Sequence, residues 1–214
     1  VESCTREPKE VFLSIGDKGL KLVDVPGVGE SGDRDTEYTE LYENLFPELD
    51  LILWVLKGDD RAFASDEQFY KKLVRPYIQA GKPFFIVINQ VDKIEPFREW
   101  DEKNNRPGGR QAKNIDDKHR VVAGYFELPM AQVLTISANE KYHLVELVDA
   151  VIHSLPKDKK MVVLKEVAEE NRSKNAIKEA ESGWWDTVKD VVSDVIDTTV
   201  DYVVDKIKSW FSWW

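Results

Sequence analysis

Three short apolar runs, each followed by a helical pattern, constrain the fold of this chain most strongly. The runs are residues 51–56 (LILWVL), 83–88 (PFFIVI) and 133–136 (VLTI). Continuous apolar runs of this length are typical of strands covered on both faces, so they predict parallel strands in a buried sheet. Because strands alternate with helical patterns along the chain, we expect an α/β fold.

A hairpin is predicted ahead of these strands. Residues 11–15 and 20–25 flank Gly16, Asp17 and Gly19, which favour a tight turn, so the two runs should pair antiparallel. Helices are predicted at residues 36–45, 65–79, 110–126 and 144–154, the second capped by Ser65. The polar segment 95–110 contains two prolines and two glycines and predicts a loop or an insertion.

The composition favours a globular domain and excludes several classes of protein. The chain has 214 residues, 42% hydrophobic and 33% charged, which excludes a disordered or fibrous chain. Its net charge of −10 has the wrong sign for general electrostatic binding of nucleic acid. The single cysteine, Cys4, excludes an internal disulfide, and no signal peptide or long apolar stretch is present, so the cytoplasm is the predicted location.

The first polar motif, a DxxG, directly follows the second strand of the hairpin. It consists of Asp24, Val25, Pro26 and Gly27. An aspartate at the end of a strand can hold magnesium through water, and a glycine allows a backbone N–H to approach a terminal phosphate. The alternative is an acidic turn without a ligand.

The second motif, Asn89-Gln90-Val91-Asp92, follows the apolar run 83–88. An aspartate here can accept two hydrogen bonds, from N1–H and the exocyclic amine of guanine, but would repel the N1 acceptor of adenine. Asn89 would bind an adjacent polar atom and tie loops together. The alternative is a turn after a strand, since Asn and Asp both favour turns.

The third motif, Ser137-Ala138-Asn139, follows the run 133–136. The motif is similar to the S-A-K loop of GTPases, in which a small residue lets a backbone N–H reach the carbonyl of guanine. The three motifs stand in order at three predicted strand ends, and the carboxyl edge of an open α/β sheet is where ligands bind. Together they predict a guanine-nucleotide site.

In this order the motifs resemble those of translation-factor-class GTPases of the Era and TrmE type. Residues 25–69 are similar in particular to GTP-binding proteins of enterobacterial prophages, which carry a ribosome-binding GTPase-like label. The resemblance covers residues 1–155 and implies a P-loop NTPase-like GTPase domain. It implies GTP and GDP with Mg²⁺ as ligands, hydrolysis of GTP, and, by the label alone, the ribosome or RNA as a partner.

The resemblance also assigns residues to the site. Magnesium would be held by Thr5 and Asp24, and Gly27 would lie in the second switch loop with Asp24. The nucleotide-binding residues would be Asp24, Gly27, Asn89, Gln90, Asp92, Ser137 and Ala138. Two residues depart from the family pattern: Val28 stands where many small GTPases have the glutamine that orients water, and Gln90 replaces the usual lysine. The catalytic residue is therefore unassigned.

A third departure concerns the phosphates. The motif G-x-x-x-x-G-K-[ST] is absent from these residues, and we expect it, with the first strand of the fold, upstream of Val1. We therefore predict an N-terminally truncated GTPase domain with weak or no nucleotide binding and negligible hydrolysis, whereas the intact parent would hydrolyse GTP.

The C-terminal part predicts two further segments after the GTPase domain of residues 1–156. Residues 157–181 predict a charged helix, which Ser182 and Gly183 would end, and residues 182–214 predict an amphipathic, tryptophan-rich helix. Its apolar stripe suits a membrane surface, but six aspartates against three lysines would be repelled by anionic lipid. Packing on its own domain or self-association is the alternative to peripheral membrane contact.

A second hypothesis of function follows from this segment. The chain would be a non-catalytic GTPase remnant that acts as an interaction or membrane-surface module through its C-terminal helix. Neither metal binding nor RNA binding is favoured elsewhere, because the three histidines lack metal-ligand spacing and acidic residues interrupt the basic residues of segment 98–120.

Overall fold

The computed structural model describes residues 9–15, 18–25, 35–59, 67, 69–166 and 169–185. These residues fall into two compact units. We call Val25–His143 the sheet unit, and we call Lys9–Asp24 together with the described residues from Leu144 onward the hairpin–helix unit. As the sequence predicts, the fold mixes helices with a parallel sheet.

The elements are numbered in chain order. The described strands are β1 (Lys9–Ile15), β2 (Lys18–Asp24), β3 (Ile52–Lys57), β4 (Phe84–Asn89) and β5 (Val133–Thr135). The described α-helices are α1 (Asp35–Leu45), α2 (Arg75–Gln79), α3 (Gly109–Tyr125), α4 (Leu144–Ser154), α5 (Lys157–Glu166) and α6 (Lys174–Trp185). None of the described helices is long and apolar enough to span a membrane.

The sheet unit is built on three parallel strands in the order β3–β4–β5. The central strand β4 places Phe84, Ile86, Val87 and Ile88 out of contact with solvent. Both faces of β4 are therefore covered, which is why its sequence is continuously apolar and does not alternate. The predicted parallel strands are confirmed, and β4 ends at Asn89.

Helix α3 supplies much of the buried surface on one side of this sheet unit. Its residues Ile115 and Val122 are buried, and Phe126, directly after the helix, is inaccessible to solvent. Phe126 meets Tyr70 edge to face, with ring centroids 5.1 Å apart. Truncating an aromatic side chain at such a position costs about 3–5 kcal/mol of unfolding free energy, so Phe126 fixes how α3 packs.

The segment predicted as one helix over residues 65–79 differs in its described part. Residues Tyr70–Val74 form a π-helical turn that leads into α2, and the N–H of Arg75 bonds to the carbonyl of Tyr70. Since Pro76 has no N–H to donate to the carbonyl of Lys72, the regular α-helical pattern is interrupted there. Ser65, the predicted cap, lies outside the described residues.

In the hairpin–helix unit, β1 and β2 pair antiparallel, with Lys9 opposite Asp24 and Ile15 opposite Lys18. This confirms the predicted hairpin. Among the described residues the two strands form a two-stranded sheet of their own. Helix α5 packs against both strands, and α4, α5 and α6 pack on one another.

The charged segment 157–181 differs from the single helix predicted for it. The structure has α5, a 3-10 turn at Glu169–Asn171, and α6. Ser173 begins α6, since its hydroxyl accepts a hydrogen bond from the N–H of Ala176 (2.9 Å) and donates one to Asp149 (2.6 Å).

The expected end of this segment also differs. Ser182 and Gly183 were expected to end the helix, but they lie within α6, where a glycine costs only about 1 kcal/mol. The predicted tail helix of residues 182–214 lies outside the described residues from position 186 onward.

Candidate nucleotide-binding site

Asn89 joins the two motifs that end β4 and β5. Its side chain is fully buried, and Oδ1 accepts hydrogen bonds from the N–H of Gln90 (2.8 Å) and from the N–H of Ala138 (3.1 Å). A buried side-chain carbonyl needs such partners to offset its lost hydration. The structure therefore brings Asn89, Gln90 and Ala138 together, and Asn89 ties two loops as its sequence position predicts.

Gln90 has a left-handed backbone conformation, with φ of 60°. This conformation turns the chain sharply after β4 into the 3-10 turn Val91–Lys93. The side-chain carbonyl of Gln90 accepts a hydrogen bond from the ammonium group of Lys93 at 2.8 Å. A lysine head group thus lies on Gln90, although Gln90 itself replaces the lysine of the family pattern.

Asp92 lies in this 3-10 turn and is partly buried. Its Oδ1 atom is inaccessible to solvent and has no hydrogen-bond partner among the described residues. A buried carboxylate oxygen without a partner is costly, so such an atom at a site points to a donor that the protein itself does not supply. The exocyclic amine and N1–H of guanine are donors of the required kind.

Ser137 and Ala138 form the loop that faces Asn89. Ser137 is buried, and its hydroxyl accepts a hydrogen bond from the N–H of Glu140 (3.2 Å). Its backbone pairs with Tyr142 through two hydrogen bonds of 3.2 and 2.9 Å. The loop is therefore a closed turn, and its shape fixes the direction of the Ala138 N–H.

Gly58 is a site-supporting residue that the sequence reasoning missed. Its N–H donates to the carbonyl of Asn89 at 2.7 Å, and a Cβ atom on Gly58 would lie 3.0 Å from the carbonyl oxygen of Gln90. Only a glycine leaves this space free, so Gly58 lets the end of β3 approach the Asn89–Gln90 backbone. A glycine directly after a predicted strand was the available signal.

A cleft of about 290 Å³ opens next to Asp92. It is lined by Asp92, Lys93, Phe97, Trp100, Glu102 and Glu140. The indole Nε1 of Trp100 is buried and has no partner within the part of the chain that the structure describes. The cleft thus combines an aromatic wall with charged side chains, features typical of small-molecule sites.

The polar segment 95–110 is predicted as a loop or an insertion, and its part before α3, residues 95–107, forms one wall of this cleft. In this part of the chain, the carboxylate of Glu99 accepts hydrogen bonds from the backbone N–H groups of Arg110 (3.0 Å) and Gln111 (3.4 Å). These groups belong to the first turn of α3, which lacks a capping side chain of its own at Gly108. Contact with the Arg110 side chain and these N–H groups lowers the pKa of Glu99.

A second carboxylate in the same segment shapes its tip. Asp101 accepts hydrogen bonds from the side-chain amide (2.7 Å) and the N–H (3.2 Å) of Asn104, and these contacts lower its pKa. Arg106 lies beside the same carboxylate at 3.4 Å. The segment is therefore an ordered turn in which acidic side chains have structural partners.

The remaining predicted site residues are only partly within the described structure. Thr5 and Gly27 lie outside the described residues, and Asp24 is described only by its backbone, as the last residue of β2. In the described parts of the chain, no group of three or more His, Cys, Asp and Glu residues could hold a metal ion. Magnesium binding by Thr5 and Asp24 stays a prediction.

Comparison with known proteins shows what this chain is similar to. A family model described as 50S ribosome-binding GTPase matches residues 1–90. The Escherichia coli protein YkfA is 36% identical over 192 residues, which cover 88% of this chain and 63% of YkfA. The E. coli protein YfjP is 36% identical over 188 residues, with the same two coverages. No solved structure gives a significant match.

The chain is also similar, at lower identity, to a protein that is named as a GTPase. GTPase Era of Aquifex aeolicus is 28% identical over 138 residues, which cover 63% of this chain and 40% of Era. By these matches the chain is similar to GTPases, and its parallel sheet with helices is consistent with a GTPase domain. The chain spans 63% of the length of YkfA and YfjP.

Proposed function

We propose that the sheet unit recognises the guanine base of a nucleotide through Asn89, Asp92 and Ala138. The observation that carries this proposal is the hydrogen bond from the Ala138 N–H to Asn89, next to an Asp92 oxygen that is buried without a partner among the described residues. Asp92 would accept from N1–H and the exocyclic amine of guanine, and adenine offers no matching pair of donors.

The other loop completes the proposed base contact. Ser137 holds the turn, so that a backbone N–H beyond Ala138 would face the carbonyl oxygen of guanine, because the Ala138 N–H is donated to Asn89. Gln90 and Lys93 would lie beside the base, because the two side chains are bonded to each other next to Asp92. This part of the proposal needs no phosphate contact, so it can be tested with a nucleoside.

We extend the proposal to hydrolysis of GTP to GDP for a chain that also carries a phosphate-binding loop. Asp24 and Thr5 would hold Mg²⁺, which neutralises charge on the transferred phosphoryl group, and Gly27 would approach the terminal phosphate. The 214 residues here contain no G-x-x-x-x-G-K-[ST] motif. We therefore expect these residues alone to bind GDP weakly and to release no phosphate from GTP.

The test of base recognition is an NMR titration of the ¹⁵N-labelled chain with guanosine and, separately, with adenosine. We expect guanosine to shift the amide signals of Gln90, Asp92 and Ala138, and adenosine to leave them in place. Asn89→Ala should abolish the guanosine shifts, whereas Asn104→Ala, at the tip of segment 95–107, should keep them. Equal shifts with the two nucleosides would refute guanine recognition.

Ribosome association is a separate proposal and rests on the name of the matched family alone. The net charge of −10 disfavours a general electrostatic attraction to RNA, so binding would need specific contacts. Co-sedimentation of the chain with purified 50S subunits, with and without GTP, tests it. Loss of all co-sedimented protein when salt is raised moderately would argue against specific association.

A further inference from the structure

A fully buried glutamine on α3 holds the turn that carries Asp92. The side-chain Nε2 of Gln111 donates hydrogen bonds to the backbone carbonyls of Asp92 and Ile94, both at 2.9 Å. Because carbonyl oxygens can only accept, the amide nitrogen must face them, which fixes the orientation of the side chain. Two hydrogen bonds from one side chain thus hold the backbone on both sides of Lys93.

The position of Gln111 is itself fixed from segment 95–107. Glu99 accepts from the N–H groups of Arg110 and Gln111, and its second oxygen accepts from the Arg110 side chain at 2.5 Å. This contact holds the first turn of α3 against the loop. Glu99 therefore sets the place of Gln111, and Gln111 sets the place of Asp92.

A neighbouring residue offers a direct comparison. Asn114, nearly one turn further along α3, also donates from its side-chain amide to a backbone carbonyl, that of Glu95, at 2.7 Å. Its bond joins the same helix to the same stretch of chain, but it does not contact the Asp92 turn. The two amides therefore separate a general role in holding the loop from a specific role in placing Asp92.

We propose that Gln111 is a positioning residue for nucleobase discrimination. By holding the Asp92 and Ile94 carbonyls, it fixes the backbone that carries the Asp92 carboxylate, and so the position from which this carboxylate would meet the purine edge. Gln111 does not touch the base. The inference rests on the proposed function, because it concerns the accuracy with which that site distinguishes guanine from related bases.

The readout is the ratio of affinities for guanosine and inosine. Inosine keeps N1–H and the carbonyl of guanine but lacks the exocyclic amine, so the ratio reports the second hydrogen bond to Asp92. A substitution that only loosened the fold would lower the affinities for both nucleosides by the same factor and leave their ratio unchanged. A displaced carboxylate would lose the contact with the amine and lower the ratio.

The experiment compares Gln111→Met with Asn114→Met in the full chain. Methionine keeps the length of the glutamine side chain and removes both donors. We expect Gln111→Met to lower the guanosine-to-inosine affinity ratio about fivefold to tenfold, the size of one lost hydrogen bond. It should also speed amide hydrogen exchange at Lys93 and Ile94, while exchange in β4 stays slow. Asn114→Met should leave the ratio unchanged.

Each other outcome has a defined meaning. A wild-type chain with no preference for guanosine over inosine would refute the proposed function itself, whereas a wild-type preference that survives in Gln111→Met would refute only the role of Gln111. If Gln111→Met loses protection throughout β4, Gln111→Asn, whose shorter side chain cannot reach both carbonyls, takes its place. Loss of β4 protection in both variants would show that Gln111 supports the fold and would overturn the positioning role.

Discussion

Glu99 lies so close to Gly108 that a Cβ atom on Gly108 would stand 2.7 Å from both the Cβ atom and the carbonyl oxygen of Glu99. Atoms at that distance clash, so the approach requires a glycine at position 108. The same approach brings the Glu99 carboxylate to the first N–H groups of α3. The glycine is therefore a condition for capping this helix from a distant part of the chain.

We expect Gly108→Ala to lower the free energy of unfolding by about 1–3 kcal/mol, because the added methyl group overpacks the contact with Glu99. Gly109→Ala is the matched control, since a Cβ atom on Gly109 meets nothing within 4 Å. That variant should be neutral or slightly stabilising. Urea denaturation of the two variants gives the comparison, and equal stability would contradict the steric role of Gly108.

The capping contact of Glu99 should make stability depend on pH. Its pKa is lowered in the folded chain, chiefly by the Arg110 side chain, so its contribution is present above the pKa of the unfolded chain and is lost as the pH falls through the folded value. Wild type and Glu99→Gln should therefore differ most in urea midpoint near pH 7 and converge in acid. Glu102→Gln, which changes an exposed carboxylate in the same segment, is the matched control.

Base preference should change when the Asp92 carboxylate becomes an amide. Asp92→Asn replaces one acceptor by a donor, which opposes the amine of guanine and matches the carbonyl at the same place in xanthine. We expect guanosine affinity to fall at least about tenfold and xanthosine affinity to rise. Asp101→Asn, whose carboxylate bonds within its own turn, should keep the preference for guanosine. Competition titrations with both nucleosides measure this change.

A buried ammonium group in the hairpin–helix unit gives a prediction about stability. Lys160 is 7% exposed, and its Nζ donates to the carbonyl of His153 (3.0 Å) and to the carboxylate of Glu179. Removing the carboxylate leaves the charge buried, so Glu179→Gln should cost about 1–3 kcal/mol, less than a fully buried pair because Glu179 is about one third exposed.

Removing the charge itself should cost less. We expect Lys160→Met to change the free energy of unfolding by no more than about 1 kcal/mol, because an apolar side chain of similar length needs no partner. Thermal denaturation of Glu179→Gln and Lys160→Met tests which variant loses more stability. Glu169→Gln, which changes an exposed carboxylate, is the control. A larger loss in Lys160→Met than in Glu179→Gln would show that the ion pair is net stabilising.

The C-terminal segment beyond α6 can be tested by removing residues 186–214. We expect this removal to leave flotation with anionic vesicles unchanged, since six aspartates outweigh three lysines between residues 182 and 214. Flotation with neutral vesicles that depends on the segment would support membrane contact. A change of molecular mass in sedimentation, also dependent on the segment, would support self-association.

The parallel sheet was predictable because a local residue pattern marks each of its strands. In β4, for example, Phe84 to Ile88 lie between covered faces, so each residue separately favours an apolar side chain. The polar residue Asn89 then marks the strand end, and the order of motifs places Asn89 and Ala138 at one edge. Those parts of the site follow from patterns within a few residues.

The contacts that hold the site were not predictable from such patterns. Glu99 caps a helix that begins ten residues later, and neither position carries a local capping signal, because Gly108 has no side chain. Gln111 looks like an ordinary polar residue of a solvated helix face, and only the packed structure shows it buried against the Asp92 turn. Likewise, Ser173 at the start of α6 donates a hydrogen bond to Asp149, which is far from it in the chain.

The division into two units has a consequence for how the chain folds during synthesis. Val25–His143 is one continuous stretch, whereas the hairpin packs with helices that begin at Leu144. A ribosome makes the hairpin before the sheet unit and the helices after it, so the hairpin is separated from its helices until the sheet unit has been synthesised. The sheet unit can thus fold before the hairpin–helix unit is complete, and Lys9–Asp24 can pack on their helices only after the sheet unit has been made.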